Sequence, residues 1–516
     1  SMKYLSSTAL VLIASVSAAQ SSTCTPGSVV DGTTVTCSGG GIFAPGVVAP
    51  TANNVTVVIT GGAGVGTNDP ADPGGQAIIE LGDGANITQS SGTILKSTGP
   101  DAATIEVGNN LTLSNAGMVT TVGNDSRAVD GGEGANIVNT GSFTTSGEDS
   151  DVINVDDGAY VWNRGTIQSN GKGSDGIQVG KKSTVINNAT IFAAKDGINA
   201  DDDATVTNSA TIRAGSDGIQ VGEGGNHAPG AGANVTNSGN IYAGKEGITG
   251  GDDLVIVNSG NIYATDDAVQ IGERVHLTNS GLIENTAVAG QEPQDGLDLD
   301  SGVVINSGII RSTIDAGIDF DGSTTDSSVT NSGLITGTTG ILVEKDVTEG
   351  ANLAAQTILN SGTIEGTAGL AMDLGAGNDS YVHLTGGVLL GGADFGTGED
   401  SFFLTGTPVG TLGGDPLALF DGGLDNDLFD FGGYAFTDLV SVALSGAVYS
   451  LELLASGATD SLFLNLTSWE AFRFSDGDFT QADLSALTTP AVPLPAGLVL
   501  MLSGLAGFGA MRRARR

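Results

Sequence analysis

Positive charge is scarce in this chain. Its 516 residues carry 18 Lys and Arg against 58 Asp and Glu, a formal net charge of −40. Phosphate backbones are held by clustered Lys and Arg, so a nucleic-acid binder is excluded. Aromatic residues make up only 5%, and the three histidines, His227, His276 and His383, share no motif. Helical periodicity is missing from residues 100–370, and no long apolar run interrupts that stretch. A hydrophobic content of 39% is nevertheless too high for a disordered acidic tail. What remains is an acidic β protein with 82 glycines, long enough for several ordinary domains or one elongated domain without a single central core.

The central chain repeats. An Asn followed by a small residue and then Gly or Ala recurs at Asn115, Asn139, Asn163, Asn187, Asn208, Asn237, Asn258, Asn279, Asn306, Asn331 and Asn360. The spacings are 24, 24, 24, 21, 29, 21, 21, 27, 25 and 29, so three intervals share a minimum of 21 and the longer ones read as added loops. A second element keeps phase with it: Asp175-Gly176-Ile177-Gln178-Val179, Asp196-Gly197-Ile198, Asp217-Gly218-Ile219-Gln220-Val221, Asp267-Ala268-Val269-Gln270-Ile271 and Asp295-Gly296-Leu297-Asp298-Leu299. Each period thus holds three short segments of two-residue alternation separated by turn residues. That pattern predicts an all-β, right-handed parallel β-helix with three strands per coil. Ile177, Val179, Val185 and Ile191 are expected to point inward, Gly to supply positive φ at corners, and the recurrent Asn to stack into a hydrogen-bonded ladder. Asn-Ser-Gly-x-Ile runs such as Asn237-Ser238-Gly239-Asn240-Ile241 resemble the repeats of bacterial autotransporter and adhesin passengers.

Beyond Asn360 the pattern changes. The segments Leu374–Tyr381, Phe395–Phe402 and Asp421–Phe429 resemble degenerate RTX nonapeptides, GGxGxDxUx. That resemblance implies calcium as a cofactor, with Asp379, Asp400 and Asp427 at the Asp position and Gly375, Gly377, Gly396, Gly398 and Gly422 at glycine positions. Two carboxylate pairs at a 21-residue spacing, Asp298 with Asp319 and Asp300 with Asp321, are expected to stack one coil apart. Two readings stand for them: solvated outward-facing acids, or further calcium ligands.

Both termini read as processing signals. Lys3, an apolar run and Ser17-Ala18-Ala19 compose a secretory signal peptide over 1–19. At the other end, Val492-Pro493-Leu494-Pro495-Ala496, an uncharged stretch and four terminal arginines resemble the VPLPA-type variant of PEP-CTERM sorting signals. The resemblance implies transient inner-membrane anchoring through the C-terminal helix and removal by an exosortase-type enzyme as partner. No outer-membrane translocator barrel follows the repeats within this sequence, so sorting rather than self-secretion is the expected route. Cys24 and Cys37, close together in an exported chain, predict a disulfide stapling the first end of the fold. The expected organisation is a cap at 20–60, β-helix repeats at 61–370, RTX-like turns at 371–433, a β cap at 434–487 and the sorting signal at 488–516.

Parallel β-helices include polysaccharide lyases and hydrolases, but their residue sets are not present together here, and a surface poor in Lys and Arg repels acidic glycans. The expected function is therefore non-enzymatic: an exported protein of the bacterial surface or extracellular matrix, in adhesion or biofilm structure. Extracellular polysaccharide or other surface proteins are its expected partners. The alternative is a polysaccharide-active lyase or hydrolase.

Overall fold

The computed structural model describes residues 23–488, apart from 40–41, 44–45, 61–63, 67–76, 223–231, 289, 292–293, 322–324 and 344–352. The signal peptide and the 492–496 motif lie outside the described residues. Two compact units are present, Ser1–Ala264 and Thr265–Arg516. Both are parallel β-solenoids, about 15 turns in all among the described residues.

In the first unit each coil contributes three short strands, such as Ile153–Val155, Tyr160–Asn163 and Thr166–Ser169. Each pairs in parallel with its counterpart one coil on: Ile153 with Ile177, Val161 with Val185, Phe143 with Ile167. Alternation puts every second side chain inside, and Ile177, Val179, Val185 and Ile191 are all buried as expected. The first strand rows start earlier than the predicted boundary, since Thr34–Ser38 already stacks on Thr56–Ile59 and that on Asn86–Gln89. Antiparallel Thr23–Thr25 covers the outer edge of Thr34–Ser38, with Cys24 opposite Cys37 and bonded to it. An edge that would otherwise accept another strand is thereby closed and stapled.

The asparagine ladder forms. In the first unit Asn115, Asn139, Asn163, Asn187, Asn208, Asn237 and Asn258 are fully buried, and each Nδ2 donates to the next Oδ1 at 2.8–2.9 Å. The second unit repeats this from Asn279 through Asn306 and Asn331 to Asn360 at 2.9 Å. Most of these Oδ1 atoms also accept from the backbone two residues ahead, as Asn115 does from Gly117 at 3.0 Å. That bond fixes the corner as an Asx turn.

Gly84, Gly134, Gly158 and Gly173 supply the expected positive φ at corners, but the glycines after the ladder asparagines have another role. Gly117, Gly141 and Gly165 follow the ladder asparagines without positive φ. Their requirement is proximity: a Cβ on Gly141 would lie 2.0 Å from the Gly117 carbonyl oxygen, and one on Gly165 2.0 Å from that of Gly141. Many left-handed corners are instead held by Asn or Asp, including Asn54, Asn110, Asp149 and Asp203, whose short polar side chains tolerate that region.

The second unit changes its filling toward the C-terminus. Phe395, Phe402, Phe429 and Trp469 pack against one another with centroids 4.6–6.5 Å apart, in an interior lined mainly by aliphatics elsewhere. One long strand, Thr363–Asp373, runs through a corner and pairs with both Leu334–Gly337 and Ile341–Val343. The end is capped by antiparallel strands Leu439–Ser445, Val448–Leu453 and Leu462–Thr467 and by the Ala471–Phe474/Gly477–Thr480 hairpin. A helix, Gln481–Leu487, follows where only strands were predicted. Its start is set by Thr480 and Asp483, whose carboxylate accepts from the Thr480 N–H at 2.8 Å and is thereby held below the usual carboxylate range.

Candidate functional site

In each coil the strand of the Ile-x-Val type buries its flanking aliphatics and turns its middle residue outward. Parallel register makes these middle residues a row. In the first unit the row runs Glu80, Glu106, Asp130, Asn154, Gln178, Asn199 and Gln220. Its three acids line an open groove of about 550 Å³, with Asp83 and Asp156 also on the wall. Burial pushes the Glu106 carboxyl upward, with Glu80 and Asp130 adding to it and Arg127 opposing. Asp130 is likewise raised by burial, against Arg127, whose Nη1 lies 2.9 Å from its Oδ2. Sequence reading missed this row, because its acids are single residues inside triplets. The available signal was their common position between two inward aliphatics.

In the second unit the row turns acidic again. Gln270, Asp298 and Asp319 are in register, so the predicted stacking of Asp298 over Asp319 is present. Asp319 is buried rather than solvated. Burial, then Asp321 and Asp267, push Asp298 up to about 8, while Gln270 Nε2 donates to it at 3.3 Å. Asp300 also raises Asp298, so Asp298, Asp300 and Asp321 belong to one electrostatic cluster, with Asp319 in register beside Asp298.

The Asp of the repeated Asp-Gly corner forms a separate, inner column. Oδ1 of Asp151 accepts the N–H of Asp175 at 2.7 Å, Asp175 that of Asp196 at 3.1 Å, and Asp196 that of Asp217 at 3.2 Å. Lys195 Nζ sits 3.4 Å from Asp175 and 2.8 Å from Asp196. In the second unit Asp267 accepts from Asp295, and Asp295 from Ala316, at 2.6 and 2.7 Å. Burial first, then Asp315 and Asp267, drive Asp295 up to about 9. These acids tie one coil to the next.

The RTX-like turns stack as well. Ala376, Thr397 and Leu424 bridge in parallel, which places Gly375 and Gly396 beneath Gly423. The third turn thus uses Gly423 where the sequence pattern pointed to Gly422, and Asp425 at φ 88° where Gly377 and Gly398 stand. The glycines have two reasons to be glycine. Gly375, Gly377, Gly396 and Gly398 have φ between 75° and 144°, and a Cβ on Gly396 or Gly398 would lie 1.7 or 1.6 Å from a carbonyl oxygen of the turn below.

Asp379, Asp400 and Asp427 are all at most 2% exposed. Oδ1 of Asp379 accepts from the Gln356 N–H, that of Asp400 from Asp379 and that of Asp427 from Asp400, at 2.6, 2.6 and 2.8 Å. The Oδ2 of each is buried and has no hydrogen-bond partner. Burial, as the largest cause, raises Asp379 to about 8 and Asp400 and Asp427 to about 7. One uncommitted buried oxygen per coil fits a hard cation or a proton. Among the described residues no three carboxylate, imidazole or thiol side chains converge on a common metal position, at these turns or around Asp298. A cation at the turns would therefore have to draw on backbone oxygens too.

On the outer faces stand Tyr242 and Tyr263, both half-buried. Their rings stack at 5.2 Å, and the Arg213 guanidinium lies 4.1 Å from the Tyr242 centroid. Both faces of Tyr242 are thereby covered, so its ring is part of a stacking ladder of the solenoid.

Residues 27–250 match the family described as the BigA third pectate lyase-like domain. The match covers less than half of the chain and lies within the first unit, including the Glu80–Asp130 groove. No curated protein and no solved structure gives a significant match.

Proposed function

We propose that the chain is a non-enzymatic protein of the bacterial surface or extracellular matrix, in which the solenoid serves adhesion or biofilm structure. The observation that carries this reading is the commitment of the buried polar residues. The side chains of Asn115 to Asn258 and one carboxylate oxygen of each acid in the Asp151 to Asp217 and Asp379 to Asp427 columns bond to the neighbouring coil, which builds length and rigidity rather than a reaction centre. Similarity to the BigA domain over residues 27–250 supports a surface protein. The VPLPA motif at Val492–Ala496 supports export and exosortase sorting, with the inner membrane as a transient station. Among the described residues no helix is long and apolar enough to cross a membrane.

Calcium belongs to this proposal as a structural ligand of the Asp379, Asp400 and Asp427 turns. It supplies positive charge to stacked carboxylates that otherwise carry protons or repel. The experiment for the function compares producing cells with and without the gene. Loss of surface attachment or matrix cohesion, restored by the full chain, is the expected result. Protein recovered only from the cytoplasm, with attachment unchanged, overturns the proposal.

A polysaccharide-active enzyme is the second reading. It is favoured by one observation, the groove of Glu80, Glu106 and Asp130 beside Arg127 inside the stretch that resembles a pectate lyase-like domain.

A further inference from the structure

The asparagine ladder of the second unit does not end on another asparagine. Asn360 Oδ1 accepts from Asn331 Nδ2 at 2.9 Å and from the Gly362 N–H at 3.1 Å, which fixes the orientation of its amide. Its Nδ2 donates to the Val388 carbonyl oxygen at 3.1 Å and to the Tyr381 hydroxyl at 3.2 Å. That hydroxyl lies 3.0 Å from His383 Nδ1 and has no other partner among the described residues. Because Asn360 donates to it, the phenol hydrogen must point at Nδ1. Nδ1 is therefore an acceptor, and the ring proton sits on Nε2. The ladder thus runs with one polarity from Asn279 through Asn306, Asn331 and Asn360 to the imidazole.

The imidazole is enclosed. Tyr381 is fully buried, and His383 is 5% exposed. In register with His383 stand Asn360 on Gln356–Asn360 and Leu404 on Ser401–Leu404. Beside it lies a pocket of about 140 Å³, walled mainly by Val388, Leu389, Val409, Leu412 and Leu462. Among the described residues no Asp, Glu, Lys or Arg lines this pocket or acts on the ring by charge, so Tyr381 is its one titratable neighbour. Burial holds the Tyr381 phenol well above its usual range, and it keeps its proton.

We propose that His383 is an acid-sensitive lock on these coils: its neutral ring closes the ladder, and a proton on Nδ1 opens it. That proton would face the Tyr381 oxygen, which already takes a hydrogen from Asn360. The phenol hydrogen would then be turned into a buried site without an acceptor. Relief requires the ring to part from Tyr381, where Ser380–His383 stacks on Gln356–Asn360. Burial lowers His383 below the usual imidazole range, and a bond to the Gly387 backbone opposes this. A histidine lowered in this way contributes stability that is present above its unfolded value of about 6.5 and lost as pH falls through its folded value. The raised aspartates Asp379, Asp400 and Asp427 act in the opposite direction, so a variant rather than pH alone separates the two effects.

Imidazole NMR and hydrogen exchange on the full chain without calcium test this. At pH 7.5 the nitrogen spectrum places the His383 proton on Nε2. From pH 7 to pH 5, amide exchange across residues 356–360 and 380–383, corrected for intrinsic chemistry, accelerates by about tenfold or more. In His383→Asn the Oδ1 still accepts from Tyr381 but takes up no proton, so the acceleration is lost, while the aspartates are common to both chains. Tyr381→Phe gives a second reading that does not depend on that variant folding: without the phenol hydrogen to hold Nδ1 neutral, His383 titrates at higher pH. A ring protonated on Nδ1 at neutral pH overturns the inference. So does equal acceleration in the unmodified chain and His383→Asn, or a His383 titration that Tyr381→Phe leaves unchanged.

Discussion

The backbone N–H of Asp379 donates to the carboxylate of Asp400 one coil on, at 2.6 Å, and both side chains are buried. The same relation joins Asp400 to Asp427 at 2.8 Å. A carboxylate that spends one oxygen on the next coil and leaves the other uncommitted is a coil-to-coil tie whose charge state depends on what reaches that second oxygen.

The pH dependence follows from the raised values of these acids, about 8 for Asp379 and about 7 for Asp400 and Asp427. An unfolded Asp titrates near 4, so between these limits the folded state binds more protons than the unfolded state. In the absence of divalent cation, stability of the C-terminal turns therefore falls as pH rises from about 4 to about 8. Calcium requires the deprotonated form, so its stabilising effect grows over the same range, to about 2.7 kcal/mol at a hundredfold excess over Kd. Thermal unfolding at pH 5 and pH 9, with calcium or with magnesium at matched ionic strength, checks this. The calcium increment should shrink in the Asp379→Ala, Asp400→Ala, Asp427→Ala variant. Equal shifts with both cations mean general screening and no site.

Replacing Asn163 by Ala orphans Nδ2 of Asn139, removes the side-chain acceptor of the Gly165 N–H and leaves Oδ1 of Asn187 with the Ala189 N–H alone. Each unsatisfied buried group costs about 1–3 kcal/mol, so a loss of about 2–4 kcal/mol is expected. Hydrogen exchange should localise the loosening to the flanking coils. A change below about 0.5 kcal/mol would mean that the ladder contributes little to stability.

Two glycine substitutions separate two physical causes. Gly158 has φ 69° with nothing near its missing Cβ, so Gly158→Ala should cost about 1–2 kcal/mol of left-handed strain. Gly141 has no such φ, but its Cβ would meet the Gly117 carbonyl oxygen at 2.0 Å. Gly141→Ala must push two coils apart and should cost clearly more. Denaturant midpoints of the two variants rank them, and the reverse order would contradict the stacking account.

Much of the architecture was legible because a solenoid repeats its reasons. A buried side chain in one coil is buried in the next, so the Asn115 to Asn360 spacing revealed the ladder, and the 21-residue offset revealed Asp298 over Asp319. Features that occur once were less legible. The Gln481–Leu487 helix has only a Thr480/Asp483 start signal, and the Glu80–Glu106–Asp130 row is diluted by loops of unequal length. The motif aspartates were visible at Asp175, Asp196 and Asp217, but their inward bonding depends on backbone N–H directions that residue types do not reveal. The same holds for Gly423 replacing Gly422 in the third turn.

The central claim, that these stacked acids build a surface solenoid and do not catalyse, is tested most directly by turnover. Purified chain, with and without calcium, is incubated with pectin, alginate and other acidic glycans while new reducing ends and unsaturated ends are measured. The account predicts no turnover above that of a heat-unfolded control. Turnover that disappears in Arg127→Ala or Asp298→Asn, with the fold intact, would contradict it and establish the enzyme reading.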